Sequence, residues 1–162
     1  MPEGAQPEVS VIVPALNEEV TIAEVVNRLL ALPLSVQVIA VDNGSTDGTS
    51  AILQSFGDKI TLIRNEQKTG KGASIVQALP FVKGKTTIIQ DADVEYFPED
   101  IPKLVEPILK GEATVVYGTR FQKGLVKGMA LPNKIVNILL AWTVRLLYGQ
   151  KITDEATCYK AF

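Results

Sequence analysis

The sequence predicts an α/β fold, a mainly parallel sheet with helices on both faces. Three observations lead there. Short β-branched runs alternate with runs whose apolar residues recur at helical spacing. Prolines and glycines separate the two kinds of run. The clusters of polar residues fall directly after the strands, where open α/β sheets bind their ligands.

Residues 9–13, Val-Ser-Val-Ile-Val, form a buried strand stopped by Pro14. Asn17-Glu18-Glu19 opens a helix in which Ile22, Val25, Val26, Leu29 and Leu30 share one face. Asn17 is its expected N-cap, and Pro33 closes it. Residues 36–41 are the second strand. Asp42-Asn43-Gly44-Ser45-Thr46-Asp47-Gly48-Thr49 follows, with Asp47 capping a helix that runs to Phe56. Residues 60–63 are a third strand. Gly70-Lys71-Gly72 leads into a helix over 73–81. Residues 86–90 are a fourth strand ending at Asp91. A helix over 98–109 tolerates prolines in its first turn, with Pro107 a point of bending or termination. A fifth strand over 113–117 is closed by Gly118, and a long apolar helix spans 132–148.

The chain has 162 residues, which suits one domain over 1–162, and 46% of them are hydrophobic, enough for a packed core. A net charge of −2 argues against nucleic acid as a partner. The single cysteine, Cys158, allows no internal disulfide and fits a reducing, cytoplasmic setting. With no histidine, acid–base or metal chemistry falls to carboxylates, which favour Mg²⁺ or Mn²⁺. The N-terminus lacks a secretory pattern, and no apolar run reaches the ~18 residues of a membrane span.

Gln90-Asp91-Ala92-Asp93-Val94-Glu95 carries the strongest chemical signal. Three alternating carboxylates after a strand can converge on one cation, with a bound diphosphate completing its shell. A solvated acidic loop is the plain alternative, and the position on the ligand rim favours the cation. Asp42 can accept hydrogen bonds from a ribose or a base, or serve only as an Asx-turn. Residues 14–18, Pro-Ala-Leu-Asn-Glu, lack the glycines of a dinucleotide fingerprint. Residues 68–74 resemble a phosphate loop but fail the Walker spacing, leaving a glycine-rich helix start flanked by Lys68 and Lys71. Arg120 can clamp a phosphate, Asp154 can act as a base or orient an acceptor, and Lys160 can neutralise a phosphate. As isolated charges, each of the three also fits an ordinary surface role. The helix over 132–148 reads either as core or as an interfacial helix meeting a lipid-linked acceptor.

Taken in order, SVIVPALNEE, VDNGSTDGT, KTGKGASIVQAL, QDADVEYFPEDIPKLV, VVYGTRF and ITDEATCYKAF resemble family 2 glycosyltransferases of GT-A fold, from Val9 to Phe162. DADVEYFPEDIPKL and TDEATCYK are similar to the dolichyl- or polyprenyl-phosphate mannose and glucose synthase branch. The resemblance implies an inverting, metal-dependent hexosyltransferase that moves mannose or glucose from GDP-mannose or UDP-glucose to a lipid phosphate. It implies that Pro14, Ala15, Leu16, Asn17, Glu18, Val41, Asp42, Asn43, Lys71, Asp91, Ala92 and Arg120 bind the nucleotide sugar. Asp91, Asp93 and Glu95 would hold Mg²⁺ or Mn²⁺, although relatives often carry Gln at the position of Glu95. Asp93 and Asp154 would be catalytic, and Lys160 would face the acceptor or a phosphate. The acceptor places the protein in the cytoplasm or on the cytoplasmic face of a membrane. Members of this branch continue past the CYK segment, so a chain stopping at Phe162 is expected to be incomplete at its C-terminus. A saccharide hydroxyl as acceptor, a nucleotidyltransferase and a non-catalytic nucleotide-sugar binding module are the alternatives.

Overall fold

A computed structural model describes residues 6–94, 96–119, 131–149, 152–155 and 157–162. Among the described residues six strands form one sheet in the order β3-β2-β1-β4-β6-β5. Strands β1 (Val9–Ala15), β2 (Val36–Asp42), β3 (Thr61–Arg64) and β4 (Thr86–Ile89) are parallel neighbours. Strand β6 (Lys160–Ala161) is antiparallel to both β4 and β5 (Val116–Tyr117). The fold is thus the mainly parallel α/β sheet that the sequence led us to expect, with a short mixed edge.

The period of two in β1 and β2 sorts their side chains between two buried faces. Val9, Val11, Val13, Val38 and Ala40 join the core beneath α1 (Ile22–Leu30), α2 (Thr49–Ser55) and α4 (Ile101–Leu109). Ile12, Ile39 and Val41 point the other way and pack with Ala78 of α3 (Lys71–Ala78). Both faces are covered, which accounts for β1 reading as an apolar run broken only by Ser10.

Several expected boundaries move. Helix α1 starts at Ile22 behind Thr21, so Asn17 is not its N-cap. Asn17 instead adopts φ 57°, and its carboxamide is taken by the next loop. Helix α2 begins one residue after Gly48, although Asp47 Oδ1 still accepts from the Thr49 amide at 3.0 Å. Pro107 is accommodated within α4 without ending it. The fifth strand shrinks to Val116–Tyr117, and β6, carried by two residues near the end of the chain, separates it from β4.

Helix α5 (Leu131–Tyr148) buries little. Ala141 is enclosed, while Leu139, Trp142, Leu146 and Leu147 are each at least 60% exposed. No helix among the described residues is long and apolar enough to cross a membrane.

Candidate active site at the carboxyl rim of the sheet

The loops after β1 and β2 are fastened to each other. The amides of Asn17 and Glu18 donate to Ser45 Oγ (3.0 Å) and Thr49 Oγ1 (2.7 Å). In return, Asn17 Oδ1 accepts from the Thr46 amide (2.8 Å) and Glu19 Oε2 from the Gly48 amide (2.7 Å). The Asn43 amide donates to the Ala15 carbonyl at 2.9 Å, which locks the two strand ends together. Side chains here satisfy backbone donors that no ladder reaches, so the rim is stiff before any ligand arrives.

Asp42 ends β2 and is 1% exposed. Its Oδ1 accepts from the Ser45 amide at 3.0 Å. Its Oδ2 is buried with no hydrogen-bond partner, and Arg64 Nε lies 3.9 Å away. An orphaned buried carboxylate oxygen is costly unless a ligand donor reaches it. Asn43 serves the scaffold as well as the rim. Its Oδ1 accepts from both the amide (2.9 Å) and hydroxyl (2.8 Å) of Thr69. That brings residues 65–69 over Gly44, where φ is 79° and an added Cβ would lie 2.8 Å from the Gln67 carbonyl carbon. Gly70, at φ 94°, then turns the chain into α3.

These loops enclose a cavity of about 340 Å³. Nine residues expected at the donor site line it: Pro14, Ala15, Leu16, Glu18, Asn43, Lys71, Asp91, Ala92 and Asp93. Lys68 and Gly70 complete the wall. A second cavity of about 510 Å³ lies between α4 and the β5–β6 edge, walled by Tyr96, Phe97, Tyr117 and Tyr159. It is larger, but the loops of β1 and β2 and the Asp91–Asp93 pair do not reach it, so size alone does not locate the chemistry.

Within the first cavity the Lys71 ammonium is ion-paired with Asp91 Oδ1 and lies 3.6 Å from Cys158 Sγ. Partial burial pulls the Lys71 pKa down, and the hydrogen bond and charge of Asp91 outweigh it, leaving the lysine above its ordinary value. The donor set suits a hard divalent cation, because Asp91 and Asp93 offer carboxylate oxygens on one wall. Among the described residues no cluster of three acidic, cysteine or histidine groups forms. Two protein carboxylates leave positions for diphosphate oxygens, the usual arrangement for Mg²⁺ at phosphates.

The remaining expected residues are placed differently. Val41 is fully buried in the cluster with Ile12, Ile39 and Ala78, outside the cavity lining. Asn17, exposed, and Asp42, buried, are both outside the cavity lining. Asp154 is 1% exposed, outside the cavity lining. Lys160 Nζ lies 3.3 Å from Glu155 Oε1 and 4.9 Å from the centre of the Tyr117 ring, on the β6 edge and outside the cavity lining. Glu95 and Arg120 lie outside the described residues. Sequence reasoning missed Arg64 as a neighbour of Asp42. Its signal was available, because Arg64 ends β3 as Asp42 ends β2, and the parallel register pairs the two.

Residues 10–159 match the family model described as glycosyl transferase family 2. The chain is 30% identical to a UDP-N-acetylglucosamine–dolichyl-phosphate N-acetylglucosaminyltransferase of Methanococcus voltae, covering 93% of this chain and 67% of that one. It is 31% identical to a dolichol-phosphate mannosyltransferase of Pyrococcus furiosus, over 72% of this chain and 34% of the relative. Two uncharacterized proteins of Methanocaldococcus jannaschii match at 35% and 31% identity, and the chain spans 63% and 64% of their length. Among solved structures it superposes with a TM-score of 0.68 and 28% identity on glucosyl-3-phosphoglycerate synthase from Mycobacterium tuberculosis, crystallised with Mn²⁺, UDP and glucosyl-3-phosphoglycerate. That alignment covers 96% of this chain and 56% of the synthase. The match along nearly the whole chain and the shared GT-A fold establish that the protein belongs to glycosyl transferase family 2, with relatives among the dolichyl-phosphate glycosyltransferases.

Proposed function

We propose that the domain transfers a hexose, mannose or glucose, from a nucleotide-diphosphate sugar to a polyprenyl or dolichyl phosphate, with inversion and with a divalent metal. One observation carries the reading. A single cavity is lined by the carboxylates Asp91 and Asp93 and by the lysines Lys68 and Lys71, with Asn43, the chain neighbour of the unsatisfied Asp42, in the same lining.

Asp42 Oδ2 accepts a ring N–H, and Arg64, 3.9 Å from it, donates to the neighbouring carbonyl. Uracil and guanine both present adjacent N–H and C=O groups on one edge, while adenine and cytosine do not, so UDP- and GDP-sugars fit and ADP- and CDP-sugars do not. Residues 14–18 wall the nucleoside. Asp91 and Asp93 would hold Mg²⁺ or Mn²⁺, joined in sequence by Glu95; bound there, the cation would supply positive charge for the leaving diphosphate. Lys71, one residue into α3, supplies further positive charge to the same oxygens. Arg120, next after Thr119, takes an acceptor or donor phosphate.

The acceptor phosphate oxygen attacks the anomeric carbon as the bond from that carbon to the β-phosphate oxygen breaks on the opposite face. A phosphate monoester has a second pKa of about 6 and is largely dianionic near neutrality, so no strong base is needed. Asp154, closed from solvent, suits a group that fixes the acceptor segment better than one that exchanges protons. Lys160 faces the acceptor side from β6. The exposed apolar residues of α5 support a peripheral position on a membrane surface, on the face where the lipid phosphate is presented. The lipid-phosphate acceptors named for the Methanococcus and Pyrococcus relatives support the same acceptor class.

A saccharide or small-molecule hydroxyl is the second reading, favoured by the likeness to glucosyl-3-phosphoglycerate synthase. The deciding experiment screens UDP-glucose and GDP-mannose with Mn²⁺ for thermal stabilisation. Transfer of the stabilising sugar to polyprenyl phosphate is then measured against transfer to hydroxyl acceptors. Stabilisation by one donor and transfer to the lipid phosphate is expected. If neither donor stabilises the protein, or if Asp93→Ala binds donor and Mn²⁺ as the parent does, the assignment fails.

A further inference from the structure

Gln90 is fully buried and immediately precedes Asp91 at the end of β4. Its backbone amide is fixed to β1 through the Ile12 carbonyl at 2.9 Å. Its side chain spans the segment that follows. Nε2 donates to the carbonyls of Asp91 (3.1 Å) and Tyr96 (3.2 Å), closing the stretch that carries Asp91 and Asp93 from both ends. Its Oε1 accepts from the Tyr159 hydroxyl at 2.8 Å, and the same hydroxyl lies 2.8 Å from the Phe97 carbonyl. Both donors and the acceptor of one buried amide are therefore engaged.

Tyr159 comes from a different part of the chain, one residue before β6. Its ring packs on Tyr96 with centroids 5.1 Å apart, and the Cys158 amide donates to the Tyr96 hydroxyl at 3.3 Å. The clasp thus joins the paired carboxylates on one side to the 154–160 segment on the other.

We propose that Gln90 and Tyr159 act as a pair of positioning residues: they hold the Asp91 and Asp93 carboxylates in register for a divalent cation and tie that register to the segment bearing Asp154 and Lys160. The proposal rests on the reading of Asp91 and Asp93 as the cation's ligands. The hydrogen-bond partners that orient metal ligands typically contribute about 10- to 100-fold to metal affinity. A burial role alone would lower stability and leave affinity untouched.

The test compares the parent chain with Tyr159→Phe, Tyr96→Phe and Asp93→Ala. Mn²⁺ binding is followed by the paramagnetic resonance signal of the free ion, and stability by urea unfolding. Tyr159→Phe keeps the ring and its packing but loses the bond to Gln90. It is expected to bind Mn²⁺ about 10-fold more weakly. Tyr96→Phe keeps the Gln90–Tyr159 bond and the ring packing, loses only the bond from the Cys158 amide, and is expected to match the parent. Parent-like Mn²⁺ affinity in Tyr159→Phe overturns the proposal, whatever happens to its stability. An equal loss in Tyr96→Phe also overturns it, because the Gln90–Tyr159 bond would then matter no more than the neighbouring Cys158–Tyr96 bond. If Asp93→Ala binds Mn²⁺ as the parent does, the ligand assignment itself falls, an outcome separate from the first two.

Discussion

The Lys71 ammonium rests on Oδ1 of Asp91, inside the cavity where a cation and a diphosphate are proposed to meet. The pair keeps a partly buried carboxylate neutralised while the cavity holds no ligand, and it leaves lysine and metal competing for the same oxygen. Lys71→Met is therefore expected to raise affinity for Mn²⁺ alone. The same change weakens nucleoside diphosphate binding by about tenfold, the scale of one lost charged hydrogen bond. Calorimetry with Mn²⁺ and with UDP or GDP separates the two effects. A loss in both would show that Lys71 does not compete with the cation.

Asp42→Asn replaces the unsatisfied Oδ2 with a donor and keeps Oδ1 for the Ser45 amide. The ring N–H of the base then meets an N–H. Binding of UDP or GDP should drop by about tenfold or more, with the unfolding temperature held near the parent value. Unchanged nucleotide affinity would remove Asp42 from base recognition.

Asp154→Asn separates the two acceptor readings. Transfer to a lipid phosphate should fall modestly, because the dianion needs no base. Transfer to a hydroxyl should fall by about 100-fold or more, the lower end of general-base contributions. Initial rates with both acceptors give the ratio, and equal losses would count against a positioning role.

Burial raises the Tyr159 phenol well above the ordinary tyrosine value of about 10, and the nearby Asp100 and Glu99 carboxylates add to the shift. The folded state therefore prefers the neutral phenol. That preference contributes fully below about pH 10 and is lost as pH rises past the unfolded-state value. Denaturant unfolding on both sides of pH 10 should show the parent losing stability more steeply than Tyr159→Phe. Parallel pH curves would contradict the burial argument.

On the acid side, Arg28 grips Glu99 through Nε (2.8 Å) and Nη2 (2.5 Å), holding that carboxyl at about 2. Its contribution is present above the unfolded value of about 4.5 and disappears as pH falls toward 2. Both groups meet solvent, so the effect is small. Arg28→Met should be slightly less stable than the parent near neutrality and indistinguishable from it near pH 2 in thermal melts.

What the sequence revealed follows from the range of the interactions involved. β1, β2 and α1 were legible because their apolar residues repeat with the period of the element and face a continuous core. Eight of the cavity residues were legible because ligand residues of an open α/β sheet collect at the strands' carboxyl ends, and Lys71 because a glycine-rich helix start invites a phosphate. β6 was not, since two residues have no period and their pairing with Ile88 and Val116 is set only in three dimensions. The left-handed Asn17 was hidden because its side chain answers to Thr46, 29 residues away, and not to its own helix. Gln90 and Tyr159 sat inside recognised motifs with no role of their own, and only their 69-residue separation closing to 2.8 Å shows the clasp.

The placement of β6 also orders events during synthesis. β1 to β4 can pair as soon as residue 89 leaves the ribosome, since each of their ladders joins residues already made. β5 has no neighbour in the sheet until Lys160 and Ala161 arrive between it and β4. The rim at the ends of β1 and β2 can thus assemble early, while the β5–β6 edge waits for residues made about 70 positions after β4. A nascent chain arrested before Lys160 should already protect the amides of β1 and β2 from exchange, and leave Val116 and Tyr117 as open as an unfolded peptide.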